Sequence, residues 1–265
     1  KLFIPSFPEQ VSSPEIPLMR ETPSYEGEIA RHMTQIDKIE AGLGDRITAT
    51  EVKINLTLRS VQEEPARNSD GGILKAENIL IENGMHPVQM AKENHESLIN
   101  LLSERISRIA KTIYPKPLWY KAFDMRTDKL RHLERGDAET YESNPIMGWR
   151  GIRRILDEPH LFICELRALR KIKSQGINNV SLVLPFISYT EEYHRAMEII
   201  KRELEDVGLP KTGIMIQTPA AALKIEDFCR TGVSFVLVDM NELTQLTLGL
   251  DYENDKTSGL YRDMD

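Results

Sequence analysis

The feature that most constrains this chain is an alternation. Short apolar runs of strand length take turns with longer stretches of helical spacing from about residue 48 to residue 251. Residues 51–58 alternate apolar and polar side chains, as on a strand covered on one face. Residues 71–75, 118–123, 180–187, 213–217 and 233–238 read as further strands, and 148–151 as one more short one. Between them, 87–113 carries Leu98, Leu101, Leu102, Ile106 and Ile109 on one helical face. Residues 159–173 and 190–207 repeat that spacing, and Gly208 suits the end of the second. Thr218 and Pro219 are a cap and a first-turn proline for a helix running to Phe228, and 243–250 reads as a short helix. Repeated strand–helix units of this kind require a parallel sheet covered by helices, either a barrel or an open doubly wound sheet.

The first 26 residues, with Pro5, Pro8, Pro14, Pro17 and Pro23, read as an extended arm. An amphipathic helix then follows from Glu28 to about Ala41. We therefore expect an N-terminal arm and helix over 1–47 and a βα barrel over 48–265. The connection over residues 59–71 is short for a full covering helix, and Pro65 lies within it. Seven candidate strands in residues 51–265 fall one short of the eight that close such a barrel, so the expected fold is a (β/α)8 TIM-type barrel lacking its last unit.

Composition narrows the function classes. The formal charge is −7, which argues against a nucleic-acid groove but leaves an anionic ligand open. The apolar runs are too short to span a membrane. Two cysteines, Cys164 and Cys229, are too few for a disulfide framework, so buried thiols in a reducing, cytoplasmic setting are expected. The six histidines lack metal-ligand spacing, and neither a Walker loop nor a G-x-G-x-x-G string follows a strand.

In a βα barrel, chemistry sits where strands end. The residues standing there are Asn55, Lys75 with Glu77, Lys121 with Asp124, Arg150, Gln217, and Asp239 with Asn241 and Glu242. Lys75, Lys121 and Arg150, brought to one mouth from separate units, suit a small anion carrying phosphate or carboxylate. Each also has a bland reading. A strand-end lysine is commonly a solvated charge, Arg150 could pair with Asp124, and Gln217 is a natural satisfied amide.

Three strings go further than the pattern: Asn144-Pro-Ile-Met-Gly-Trp-Arg-Gly151, Ser181-Leu-Val-Leu-Pro-Phe186 and Asn241-Glu-Leu-Thr-Gln-Leu-Thr-Leu-Gly-Leu-Asp251. In this order they resemble the C-terminal barrel of phosphoenolpyruvate synthase, which binds pyruvate and phosphoenolpyruvate (PEP). Pyruvate phosphate dikinase and the phosphotransferase-system enzyme I share that barrel. The resemblance implies phosphoryl transfer between a phosphohistidine and pyruvate, with Mg²⁺ bridging the substrate oxygens. It assigns Lys75, Lys121, Arg150 and Asn241 to substrate, and Gln217 and Glu242 to the metal positions. It also implies PEP or pyruvate as ligand, a separate phosphohistidine and ATP-binding partner, and a homodimer.

Several of these positions depart from the family's pattern. Lys75 and Lys121 stand where the family carries arginines, and a lysine lacks the planar two-point fork. Gln217 replaces a ligand glutamate and Glu242 a ligand aspartate, while Asp239 and Met240 replace a small pair. The family's acid cysteine has no counterpart in this sequence. These changes together predict weak or absent Mg²⁺ binding and an impaired barrel acting as a binding or regulatory relative. An active portion of a synthase served by separate domains, and a barrel aldolase acting on pyruvate enolates, are the alternatives.

Overall fold

A computed structural model describes residues 71–82 and 84–261, together with the backbone of Ile54 and Asn55. The arm and helix read over 1–47, most of the first strand and residues 59–70 of the short connection lie outside the described residues.

Six strands form one sheet: β1 (Ile54–Asn55), β2 (Gly72–Lys75), β3 (Leu118–Lys121), β4 (Val180–Leu184), β5 (Thr212–Ile216) and β6 (Val236–Val238). They lie side by side in sequence order, and every neighbouring pair is parallel. This is the topology of a (β/α)8-type barrel seen as an open part, with β1 and β6 as its edges among the described residues. The register sets Lys75 beside Lys121, and Lys121 beside Val183.

The strands divide their side chains as the pleat requires. Leu74, Leu118, Tyr120, Leu182, Leu184, Ile214 and Ile216 join the apolar core under the helices. Val183 and Met215 are buried outside that cluster, on the other face of the sheet. β6 departs from this pattern. Val236 and Val238 pair in register with Ile214 and Ile216, yet remain 40% and 53% exposed.

The helices before β3 are α1 (Glu77–Leu80), α2 (Pro87–Glu93) and α3 (His95–Ile113). The single helix read over 87–113 is therefore two. Asn94 breaks it, because its side chain accepts the Ser97 amide and caps α3 in place of the backbone. After β3 come α4 (Thr127–Leu130), α5 (Gly151–Asp157) and α6 (His160–Ser174). No strand forms over 148–151: the Trp149 amide donates to the Glu142 side chain and the Ile152 amide to the Pro185 carbonyl, so the segment has no ladder to join. Gly151, at φ +52°, opens α5 directly.

α7 (Thr190–Leu204) follows β4, with a 3₁₀ turn over Glu205–Val207 before Gly208 at φ +85°. α8 (Pro219–Leu223) is capped by the Thr218 side chain as expected, but the helix breaks at Lys224 and resumes as α9 (Ile225–Arg230). The Phe228 side chain is the buried one on α9, which leaves the neighbouring Cys229 exposed; Cys164 is the buried thiol. α10 (Met240–Leu248) starts earlier than the sequence predicts. Asp239, which stands where the family carries a small residue, caps it by accepting the Glu242 amide.

Candidate functional site

The C-terminal ends of β3 and β5 and the first turn of α10 bring a buried polar cluster to the barrel mouth. Lys121, the last residue of β3, donates to Glu77 at 2.9 Å and to Asp124 at 3.4 Å. Glu77, at the start of α1, also accepts the Asp124 amide at 3.0 Å and so fixes the turn after β3. Arg150, extended just before α5, grips Asp124 with two parallel bonds, Nε to Oδ1 at 2.7 Å and a terminal nitrogen to Oδ2 at 2.8 Å. Its other terminal nitrogen lies 2.9 Å from Oε1 of Glu242. Gln217, directly after β5, donates to Asp124 at 3.3 Å and accepts the Phe186 amide at 2.7 Å.

Phe186 covers the arginine. Its ring stands 4.5 Å from the Arg150 guanidinium, and its backbone is in the left-handed region at φ +57°. A bulky residue adopts that conformation only where its surroundings compel it. The Gln217 bond to its amide is one such constraint. Gly151 is another: a Cβ there would come within 2.6 Å of the Phe186 Cβ and 3.1 Å of Asp124 Oδ1.

The electrostatics follow the pairing. Burial alone would raise the Asp124 carboxyl, but Lys121 and Arg150 outweigh it and hold Asp124 well below the usual carboxylate range. Burial would lower the Lys121 ammonium, and Glu77 and Asp124 reverse that, placing it above an ordinary lysine. The Arg150 guanidinium is raised against burial in the same way, by Asp124 and then Glu242. Glu242 moves in the opposite direction to Asp124. Burial pushes its carboxyl up against the pull of Arg150, with Asp124 adding to the rise.

Four of the sequence-predicted residues thus meet: Lys121, Arg150, Gln217 and Glu242. Lys75 stands beside Lys121 in register, half-buried, with no hydrogen bond or ion pair among the described residues. Asn241 is not in the cluster; it is exposed on α10, and its side chain meets the Tyr261 hydroxyl at 3.5 Å. Glu77 and Asp124 were visible as strand-end carboxylates, but their role in pinning both cations is a tertiary fact. Phe186 ends a quoted string, with nothing in its sequence to announce the left-handed backbone.

The residues at the two positions that the resemblance assigns to metal, Gln217 and Glu242, do not fit Mg²⁺, which takes six oxygen ligands at about 2.0–2.1 Å in near-octahedral geometry. The Gln217 oxygen accepts the Phe186 amide, and the Glu242 carboxylate lies against a guanidinium. Among the described residues no group of three or more His, Cys, Asp or Glu side chains is placed to hold a metal ion. No helix among them is long and apolar enough to cross a membrane.

A parallel βα sheet with a buried, mixed-charge cluster at its strand ends defines part of a barrel of the class whose chemistry sits at that face. The chain belongs to the family described as PEP-utilising enzyme, PEP-binding domain, which matches residues 31–265. It is 40% identical over 249 residues to a probable phosphoenolpyruvate synthase of Methanocaldococcus jannaschii, an alignment covering 90% of this chain and 21% of that protein. It is 40% identical over 223 residues to the phosphoenolpyruvate synthase of Pyrococcus furiosus, covering 81% of this chain and 27% of that protein. A probable phosphoenolpyruvate synthase of Archaeoglobus fulgidus is likewise 40% identical, over 225 residues and 29% of its length. The chain therefore spans between a fifth and a third of these relatives.

Proposed function

We propose that the barrel mouth binds a small carboxylate or phosphate anion of the PEP and pyruvate class, and that the chain is a catalytically impaired member of its family with a binding or regulatory role. One observation carries this reading: the two side chains at the metal positions are both engaged by internal partners, Gln217 with Phe186 and Asp124, Glu242 with Arg150. Phosphoryl transfer to an enolate develops charge that a divalent cation ordinarily neutralises. A mouth whose own cations are already paired offers a ligand attraction without that neutralisation. Lys75 is the anchor left over.

The test is calorimetric titration of the full chain with PEP or oxalate, with and without Mg²⁺. We expect weak binding that Mg²⁺ does not strengthen, and micromolar, metal-dependent binding would overturn the reading. The double substitution Gln217→Glu with Glu242→Asp should bring metal dependence back if the rest of the mouth is intact.

The 40% identity to proteins named phosphoenolpyruvate synthase favours a second reading, an active portion that works with nucleotide-binding and phosphohistidine-bearing partners. PEP formation from pyruvate and ATP by the whole gene product, abolished by Arg150→Lys, would establish it.

A further inference from the structure

We propose that Glu242 is an internal competitor for Arg150, a specificity-determining latch that an anionic ligand must displace; this rests on the anion-site reading above. Arginine has five N–H groups in a planar fork. At Arg150 the Nε and one terminal nitrogen are committed to the two Asp124 oxygens. The other terminal nitrogen meets both Glu242 oxygens, at 2.9 and 3.2 Å, and the Ile146 carbonyl at 3.5 Å. One flat face is covered by Phe186. Of the five N–H groups, only the second on the nitrogen that bonds Asp124 Oδ2 has no partner among the described residues, so a ligand has no two-point grip on the fork while Glu242 is in place.

The two carboxylates on Arg150 are not equally held. Asp124 has a fully buried side chain and is also bound by Lys121 and Gln217. The Glu242 side chain is 15% exposed at the outer side of the cluster, and its carboxylate bonds to Arg150 alone among the described residues. Asp124 is a fixture of the fold, whereas Glu242 is an exchangeable ligand. A planar carboxylate from solvent would satisfy Arg150 with the same geometry that Glu242 supplies.

Charge counting gives the direction. With Glu242 in place, Lys75, Lys121 and Arg150 face Glu77, Asp124 and Glu242, with Asp239 at the edge. With Glu242 swung out, the mouth loses one negative charge beside Arg150, and half-buried Lys75 is the second cation a ligand can reach. Glu242 also bears on selectivity, because its reach is one methylene longer than that of an aspartate, about 1.5 Å. That length carries the carboxylate to the guanidinium.

The experiment is calorimetry with oxalate in the presence of a chelator, on the full chain and on Glu242→Ala, Glu242→Gln and Glu242→Ala with Lys75→Met. Glu242→Ala should bind oxalate about tenfold tighter or more, the scale of one charge-assisted contact. Glu242→Gln, which keeps the side-chain shape, should gain less, and Lys75→Met should remove much of the gain. Equal affinity in the native chain and both single variants would overturn the latch and leave the anion site standing. Absence of binding in every variant would overturn the anion site and the latch with it, and a gain untouched by Lys75→Met would overturn Lys75 as the second anchor.

Discussion

Two arginines four residues apart, Arg150 and Arg154, are each 5% exposed and each held by two carboxylates, yet they do different work. Arg150 stands before α5 and faces the barrel mouth. Arg154, one turn into the helix, grips Glu139 with both terminal nitrogens, one at 2.9 Å, and reaches Glu158 at 3.2 Å. Its guanidinium lies 4.3 Å from the Trp149 ring. The difference is in what else the carboxylates hold. Asp124 keeps Lys121 and Gln217 if Arg150 leaves, whereas the Glu139 carboxylate keeps, among the described residues, only His86, at 2.9 Å. A site meant to exchange partners needs that slack, and a staple between a loop and a helix does not.

Substitution of each arginine by alanine tests the contrast most severely. Arg154→Ala should cost about 3–5 kcal/mol, because it strands a buried carboxylate beside a histidine. Arg150→Ala should cost roughly 2 kcal/mol, since Lys121 still compensates Asp124 and Glu242 can turn to solvent. Urea denaturation of both variants gives the ranking, and equal losses would erase the distinction drawn between mouth and staple.

The pH dependence of stability should separate the carboxylates by sign. Burial raises the Glu139 carboxyl, but His86 and Arg154 outweigh it and bring it down to about 2. Its contribution is therefore present above the unfolded value near pH 4.3 and is lost as pH falls toward 2, a change on the order of 2 kcal/mol. Glu165, buried on α6, runs the other way. Burial pushes it up to about 8, against the Tyr120 hydroxyl and Phe123 amide that it accepts at 2.8 and 3.1 Å. The folded chain then holds a proton that the unfolded chain releases, so stability declines as pH rises from about 4.3 to 8. Glu165→Gln should flatten this decline, and Arg154→Ala should weaken the acid limb. An unchanged alkaline slope in Glu165→Gln would show that Glu165 is not its source.

How much of this the sequence disclosed depends on how local each feature is. Strands β2 to β5 were legible because alternation and β-branched runs are local, and Lys75, Lys121, Arg150 and Gln217 were legible because strand ends are countable positions. Residues 148–151 misled because a tryptophan between glycines looks like a strand until the partners of its amides are known. The pairing of Arg150 with Asp124 was one option among several, and only tertiary structure selects it. Glu165 offered a signal in hindsight, a glutamate four residues before Leu169 and four after Leu161 on the buried face of a helix. Its partners on and just after β3 could not be read from that spacing.

Gly151, between the two arginines, touches the surroundings of one of them and not of the other. Gly151→Ala would put a side chain at φ +52° and press it on Phe186 and Asp124, which cradle Arg150 and do not touch the Arg154 network. We expect a loss of about 2 kcal/mol. Oxalate affinity should change while the acid limb assigned to Glu139 stays in place. If that limb shifts as well, the two networks are mechanically one.

The smallest effect belongs to Lys92, which reaches Glu158 at the outer margin of the Arg154 network. Lys92 is 41% exposed, and Glu158 keeps Arg154 when the lysine is removed. An exposed pair with a standing alternative is worth about 0.5 kcal/mol or less, and salt should weaken it further. Lys92→Ala measured by urea denaturation at low and high salt should therefore lie near the native value, with the gap closing as salt rises. A loss approaching that of Arg154→Ala would mean that Glu158, and not Glu139, is the carboxylate that anchors the staple, since only a network that hangs on Glu158 could feel the loss of its outermost partner so strongly.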